Sequence, residues 1–145
     1  MNDFANPVDW MQLLNAEERY SDLDLEPIIT LAADADRGYG WGLGFATAIA
    51  LEYKRFLWLS WTYPDQRVVP SGLIDEIWRL HVADAAKYAA DCQAYLGYFL
   101  PYFLHLGMQD GGRGDDRAPA MVETLALYRA HFGRPSAVIW LWIRR

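Results

Sequence analysis

Cysteine is all but missing from this chain: Cys92 is the only one in 145 residues. No intramolecular disulfide can form, which excludes the disulfide-stapled scaffolds of small secreted domains. Long apolar runs are missing too. The longest, Ala137 to Ile143, has seven residues, far short of the ~20 that a membrane-spanning helix needs. The segment Met1 to Trp10 has neither the positive start nor the apolar stretch of a signal peptide. The expected location is therefore the cytoplasm. There is no basic stripe outside the Arg144-Arg145 pair, and the net charge is −6. Such a chain repels a phosphate backbone, so nucleic acid is not an expected partner. A glycine-rich phosphate loop, a nucleophile elbow and a paired-cysteine metal motif are all lacking, as are internal repeats and low-complexity tracts.

What the chain has in excess is aromatic side chains. They make up 15% of it, with seven Trp and nine Tyr. Rings of this kind bring a large apolar area and, for Tyr and Trp, a polar tip that needs a partner when buried. The excess is met by an aromatic-rich core, an aromatic-lined pocket or an apolar partner surface. The length fits one domain of ordinary size, which buries about 68–70% of its unfolded surface.

The punctuation of the sequence predicts helices. Asn6-Pro7 opens a short helix from Val8 to about Arg19. Ser21-Asp22 caps a second, from about Leu25 to Ala35, before a turn at Asp36 to Gly40. A long helix follows from about Leu43 to Tyr63, with Phe45, Ile49, Tyr53, Phe56, Leu57 and Trp61 at spacings of three and four. Gln66 to Pro70 is an extended connector. Ser71 reads as the N-cap of a second long helix running to about Tyr95. On it Ile74, Trp78, His81, Ala85, Tyr88 and Cys92 fall on one face that should be buried. Gly97 ends that helix. A short aromatic helix over Tyr98 to Leu106, a polar loop over Gln109 to Pro119, and a helix from about Ala120 to Phe132 ending at Gly133 come next. The last segment, Ser136 to Arg145, fits a helix or a strand and is expected as a helix packed on the core.

Polar chemistry concentrates at Asp75, Arg79, His81 and Asp84. Asp75 and Arg79 stand four apart and can pair on one helix face. His81 lies on the apolar face, where it is either a core histidine bonded to a carbonyl or a buried acid–base group oriented by a carboxylate. Cys92 is eleven residues further on, about 16 Å along a straight helix, so His81 and Cys92 cannot share a metal ion there. It reads as a small buried apolar residue. His105 and His131 are scattered, which is weak ground for a metal centre.

An ordered series of short matches runs through the chain: Glu52 to Leu57, Val69-Pro70-Ser71, Ile74 to His81, Tyr88, Asp91-Cys92, Gly97 to Leu100, Gly107-Met108, Thr124-Leu125 to Tyr128, Phe132-Gly133 and Trp140. In this the chain resembles the glycine-rich-domain-containing-protein-like family, as a short bacterial form. The family pattern has Trp-His-any-His where this chain has Trp78-Arg79-Leu80-His81. It has a His-His pair where this chain has Pro101-Tyr102. The resemblance implies a metal or acid–base site in the family, of which His81 alone carries over directly, with His105 a displaced substitute. Arg79 cannot ligate a metal, because it stays protonated and only donates. The glycine-rich tail of the plant-type members does not occur in this sequence.

The expected fold is all-α, a single bundle of five or six helices over residues 1–145 with an aromatic-rich core and the two long helices antiparallel. The leading functional reading is a small-molecule-binding protein with a metal-free, aromatic-lined pocket and no cofactor, extending to a template or acid–base catalyst of cyclase or isomerase type in a biosynthetic pathway. In it His81, Arg79 and Asp75 do the acid–base or orienting work, and Trp78, Tyr102, Phe103 and His105 contact a small organic ligand. One alternative is a non-catalytic interaction module that self-associates or takes a protein partner. Another is a metalloprotein using His81 and His105. Positions 79 and 81 diverge by about 200° on a helix, so a single site served by both must wrap around it.

Overall fold

The structure, a computed structural model, describes residues 22–102 and 114–141. Every regular element among them is helical. We number the α-helices α1 (Glu26–Ala33), α2 (Leu43–Thr62), α3 (Gly72–Ala83), α4 (Ala85–Asp91), α5 (Gly114–Phe132) and α6 (Ala137–Trp140). A single π-turn, Cys92–Leu96, continues α4. No helix among the described residues is long and apolar enough to cross a membrane.

The two central helices are α2 and α3. Tyr53 meets His81 and Phe56 meets Trp78, with ring centroids 5.7 and 5.0 Å apart. The register descends on one helix as it climbs on the other, so the pair is antiparallel, as the Pro64–Pro70 connector predicts. Ser71 caps α3 by accepting from the Ile74 N–H at 3.3 Å. The α1 helix packs across both and contributes Ile28, Ile29 and Ala32 to the core.

The expected helix from Ser71 to Tyr95 is not continuous. Asp84, at φ −90° and ψ 80°, is at once the C-cap of α3 and the N-cap of α4. Its carboxylate accepts from the Lys87 N–H at 3.4 Å. Asp84 is thus a cap, which a short acidic side chain makes by competing for backbone donors. The break rotates the predicted face out of phase: Ile74, Trp78, His81, Tyr88 and Cys92 are buried, but Ala85 is exposed. Gly97 then stops the π-turn in the left-handed region at φ +83°.

Other boundaries move as well. Residues 98–101 of the expected aromatic helix are irregular, and Tyr102 lies in a turn. The loop expected up to Pro119 gives way earlier, since α5 begins at Gly114 and contains Pro119. Leu25, rather than Ser21-Asp22, occupies the N-cap of α1, and Asp24 accepts from the Glu26 N–H at 3.0 Å. In the last segment α6 forms under a Ser136 cap. The expected helix Val8–Arg19 lies outside the described residues.

The turn from α1 to α2 depends on Gly38, where an added Cβ would lie 1.7 Å from the Leu31 carbonyl oxygen. Gly38→Ala should destabilise by about 3 kcal/mol or more, the upper end of overpacking costs, measured by urea unfolding. Trp78 is fully buried. Trp78→Ala should cost about 3–5 kcal/mol in the same measurement; a loss below about 1 kcal/mol would show that the ring does not fill the core.

Candidate functional site

His81 sits in the last turn of α3 and is 1% exposed. Its Nδ1 is 2.7 Å from the Tyr53 hydroxyl, and its Nε2 is 2.8 Å from Asp91 Oδ2. The same carboxylate oxygen lies 3.1 Å from Lys87 Nζ. A straight helix would carry Asp91 about 15 Å beyond His81 along the axis. The break at Asp84 folds α4 back and closes that distance. One four-membered polar chain, Tyr53–His81–Asp91–Lys87, therefore runs from the core to the surface.

Burial raises the Tyr53 hydroxyl well above its usual pKa, so it keeps its proton and donates to Nδ1. The Asp91 carboxylate only accepts, which places the imidazole proton on Nε2. Desolvation lowers the His81 pKa below 6.5, against the opposing pull of Asp91. The ring is thus held neutral in one tautomer.

A small cleft opens beside this chain. His81, Asp91 and Cys92 supply its polar edge, and Leu23, Leu57, Tyr95 and Leu96 its apolar wall, with Tyr88 between them. It has room for roughly one water molecule. Burial pushes the Cys92 thiol up, so it stays protonated at neutral pH. Tyr88 also closes the neighbouring wall: its hydroxyl accepts from Trp78 Nε1 at 2.9 Å and donates to the Leu100 carbonyl at 2.6 Å.

The remaining predicted site residues lie elsewhere. The Arg79 side chain is 57% exposed and pairs with Glu76 at 3.7 Å. Asp75 accepts from the Tyr102 hydroxyl at 3.2 Å. The two therefore do not form the predicted orienting pair of a closed pocket, and Arg79 does not line the His81 cleft. Trp78 is covered by Phe56 on one side and by Tyr102, at a centroid distance of 4.8 Å, on another; it is core, not an open pocket wall. Phe103 and His105 lie outside the described residues. His131 belongs to a separate cluster, against Trp58 and hydrogen-bonded to the Tyr63 hydroxyl. No group of three or more His, Cys, Asp or Glu that could hold a metal occurs among the described residues.

A second buried polar cluster was not foreseen from sequence. Glu52, 7% exposed, accepts from the Tyr128 hydroxyl at 2.5 Å and from Trp140 Nε1 at 2.9 Å. Arg55 approaches its other oxygen at 3.3 Å and the Tyr128 oxygen at 2.7 Å. Arg55 also lies 4.9 Å from the Phe132 ring centroid. This cluster joins α2 to α5 and α6 and satisfies a carboxylate that would otherwise be costly to bury.

Burial lowers the pKa of both His81 and His131. The unfolded chain then binds more protons than the folded one, so stability is full above pH ~6.5 and falls as pH drops through the folded values. Urea unfolding between pH 7.5 and 5 should show uptake of up to about one proton per histidine on unfolding. His81→Gln should flatten part of that dependence; an unchanged pH profile would contradict a depressed His81 pKa.

Comparison with protein-family models, with curated proteins and with solved structures finds no match for this chain.

Proposed function

We propose that this is a small-molecule-binding, cytoplasmic protein in which His81 and Asp91 form an acid–base pair. The observation that carries this reading is the Tyr53–His81–Asp91 chain, with hydrogen bonds of 2.7 and 2.8 Å, ending in a cleft rather than in closed packing. Both imidazole nitrogens are engaged, Nδ1 by Tyr53 and Nε2 by Asp91, so the group that meets a bound oxygen is the Asp91 carboxylate, oriented by the His81 N–H and suited to moving a proton there. That is the step isomerases and cyclases share. The space admits one polar group of about the size of water, so the ligand presents a carbonyl or hydroxyl there. Arg79 and Asp75 have no part in this site. The residues of the family resemblance that flank it, Tyr88, Asp91 and Cys92 with His81, support the same location.

A second reading, an interaction module, draws on the uncharged stretch Gly38 to Leu51, where Leu43 and Leu51 are 63% and 48% exposed. The two separate by experiment. A panel of cyclic ketones and phenols, followed by amide chemical shifts, should yield ligands that perturb Leu23, Leu57 and Leu96. His81→Gln and Asp91→Asn should each weaken such a ligand at least about tenfold, the cost of one lost hydrogen bond to a charged or buried partner, while cooperative melting persists. No ligand, or perturbation confined to residues 38–51, would reject the acid–base site.

A further inference from the structure

The side-chain protons around the cleft are already committed. The His81 imidazole has one, on Nε2, and gives it to Asp91 Oδ2. The Tyr53 hydroxyl behind it donates to His81 Nδ1. The Tyr88 hydroxyl donates to the Leu100 carbonyl, and the Tyr95 hydroxyl to the Asp22 carbonyl at 3.2 Å. Each O–H and N–H carried by the side chains of the lining is thus spent on an acceptor of the protein itself. The Cys92 thiol is left, and S–H is a weak donor.

The acceptors are not spent in the same way. A carboxylate offers about four lone-pair sites on two oxygens. At Asp91 the contacts from His81 Nε2, at 2.8 Å, and from Lys87 Nζ, at 3.1 Å, are both to Oδ2. The Asp91 side chain is 18% exposed and lines the cleft, so accepting capacity remains there. Its charge, in contrast, is already met by the Lys87 ammonium. A second cation would face that like charge.

We infer that the cleft selects its ligand through a neutral hydrogen-bond donor, the hydroxyl of an alcohol or phenol given to the Asp91 carboxylate, over a carbonyl or an ammonium. The inference rests on the reading of the cleft as a ligand site and narrows the ligand class. A carbonyl oxygen fits the space of roughly one water, but it brings only lone pairs to a wall whose side-chain donors are spent. Its lost hydration is then not replaced. A hydroxyl of the same size brings its own proton and forms a charge-assisted bond.

The test uses cyclohexanol, cyclohexanone and cyclohexylammonium, which share a ring size and differ in the polar group. Amide chemical shifts of Asp91, Cys92 and Leu96 follow each titration in the full chain. Cyclohexanol should bind at least about tenfold more tightly than cyclohexanone, the factor that one hydrogen bond to a charged acceptor carries. It should also bind more tightly than cyclohexylammonium. Asp91→Asn exchanges the pure acceptor for a group that also donates. This variant should weaken cyclohexanol at least about tenfold and close or reverse the gap to cyclohexanone. Equal or tighter binding of cyclohexanone or of cyclohexylammonium by the parent protein overturns the hydroxyl preference and leaves the site standing. No shift with any of the three overturns the site together with the preference. Should Asp91→Asn fail to melt cooperatively, the three titrations of the parent protein decide alone.

Discussion

A core built of tyrosine and tryptophan cannot be closed by packing alone, because each buried ring brings a hydroxyl or an indole N–H that is costly to leave unbonded; among the described residues Trp58 is the exception. This requirement shapes the molecule. The Tyr53 hydroxyl goes to His81, Trp78 to Tyr88, Tyr88 to the Leu100 carbonyl, and Tyr128 and Trp140 to Glu52. At the margins Tyr39 reaches the Glu76 carbonyl and Tyr98 the Ser60 carbonyl. Leucines in these places would bury similar area without specifying direction. The ring tips instead fix which helix lies against which, since a shifted register leaves a buried donor unpaired, at about 1–3 kcal/mol each.

The two polar clusters answer the same demand in different ways. Around Glu52 the donors converge on one carboxylate, and Arg55 balances its charge. That arrangement is flanked by the Tyr128, Phe132 and Trp140 rings and reads as structural. Around His81 the bonds run in a line and finish at Asp91, half-buried beside a cleft. The His81 line, unlike the Glu52 carboxylate, ends beside a cleft.

Much of this was legible in the residues. The spacing of Ile49, Tyr53, Phe56 and Leu57 marks the buried face of α2, and Ser71, Gly97 and Gly133 mark ends that the structure keeps. His81 stands out on an apolar face, and it is indeed buried. Its partner did not stand out. Asp91 looks remote on an uninterrupted helix, and only the break at Asp84 brings it near. Nothing in helical periodicity reveals that break, because Asp84 is compatible with both a helix interior and a cap. Nothing in the local sequence marks Glu52 and Arg55 as buried. Their burial is set by Tyr128 and Trp140, which lie 76 and 88 residues further along. The Asp75–Arg79 pairing followed a sound local rule, and Glu76 and Tyr102 offered nearer partners.

Those long separations bear on the order in which the chain can assemble. Helices α1 to α4 contact near neighbours in sequence and can dock as a unit at little loop-closure cost. In that partial structure Glu52 faces an uncovered side of α2, charged and hydrated, and the apolar surface around it cannot dry. Only the arrival of α5 and α6 delivers the two donors that let the carboxylate go under. Completion of the C-terminal part is then coupled to dehydration of the centre, so a chain ending before Trp140 would keep a wet seam along α2.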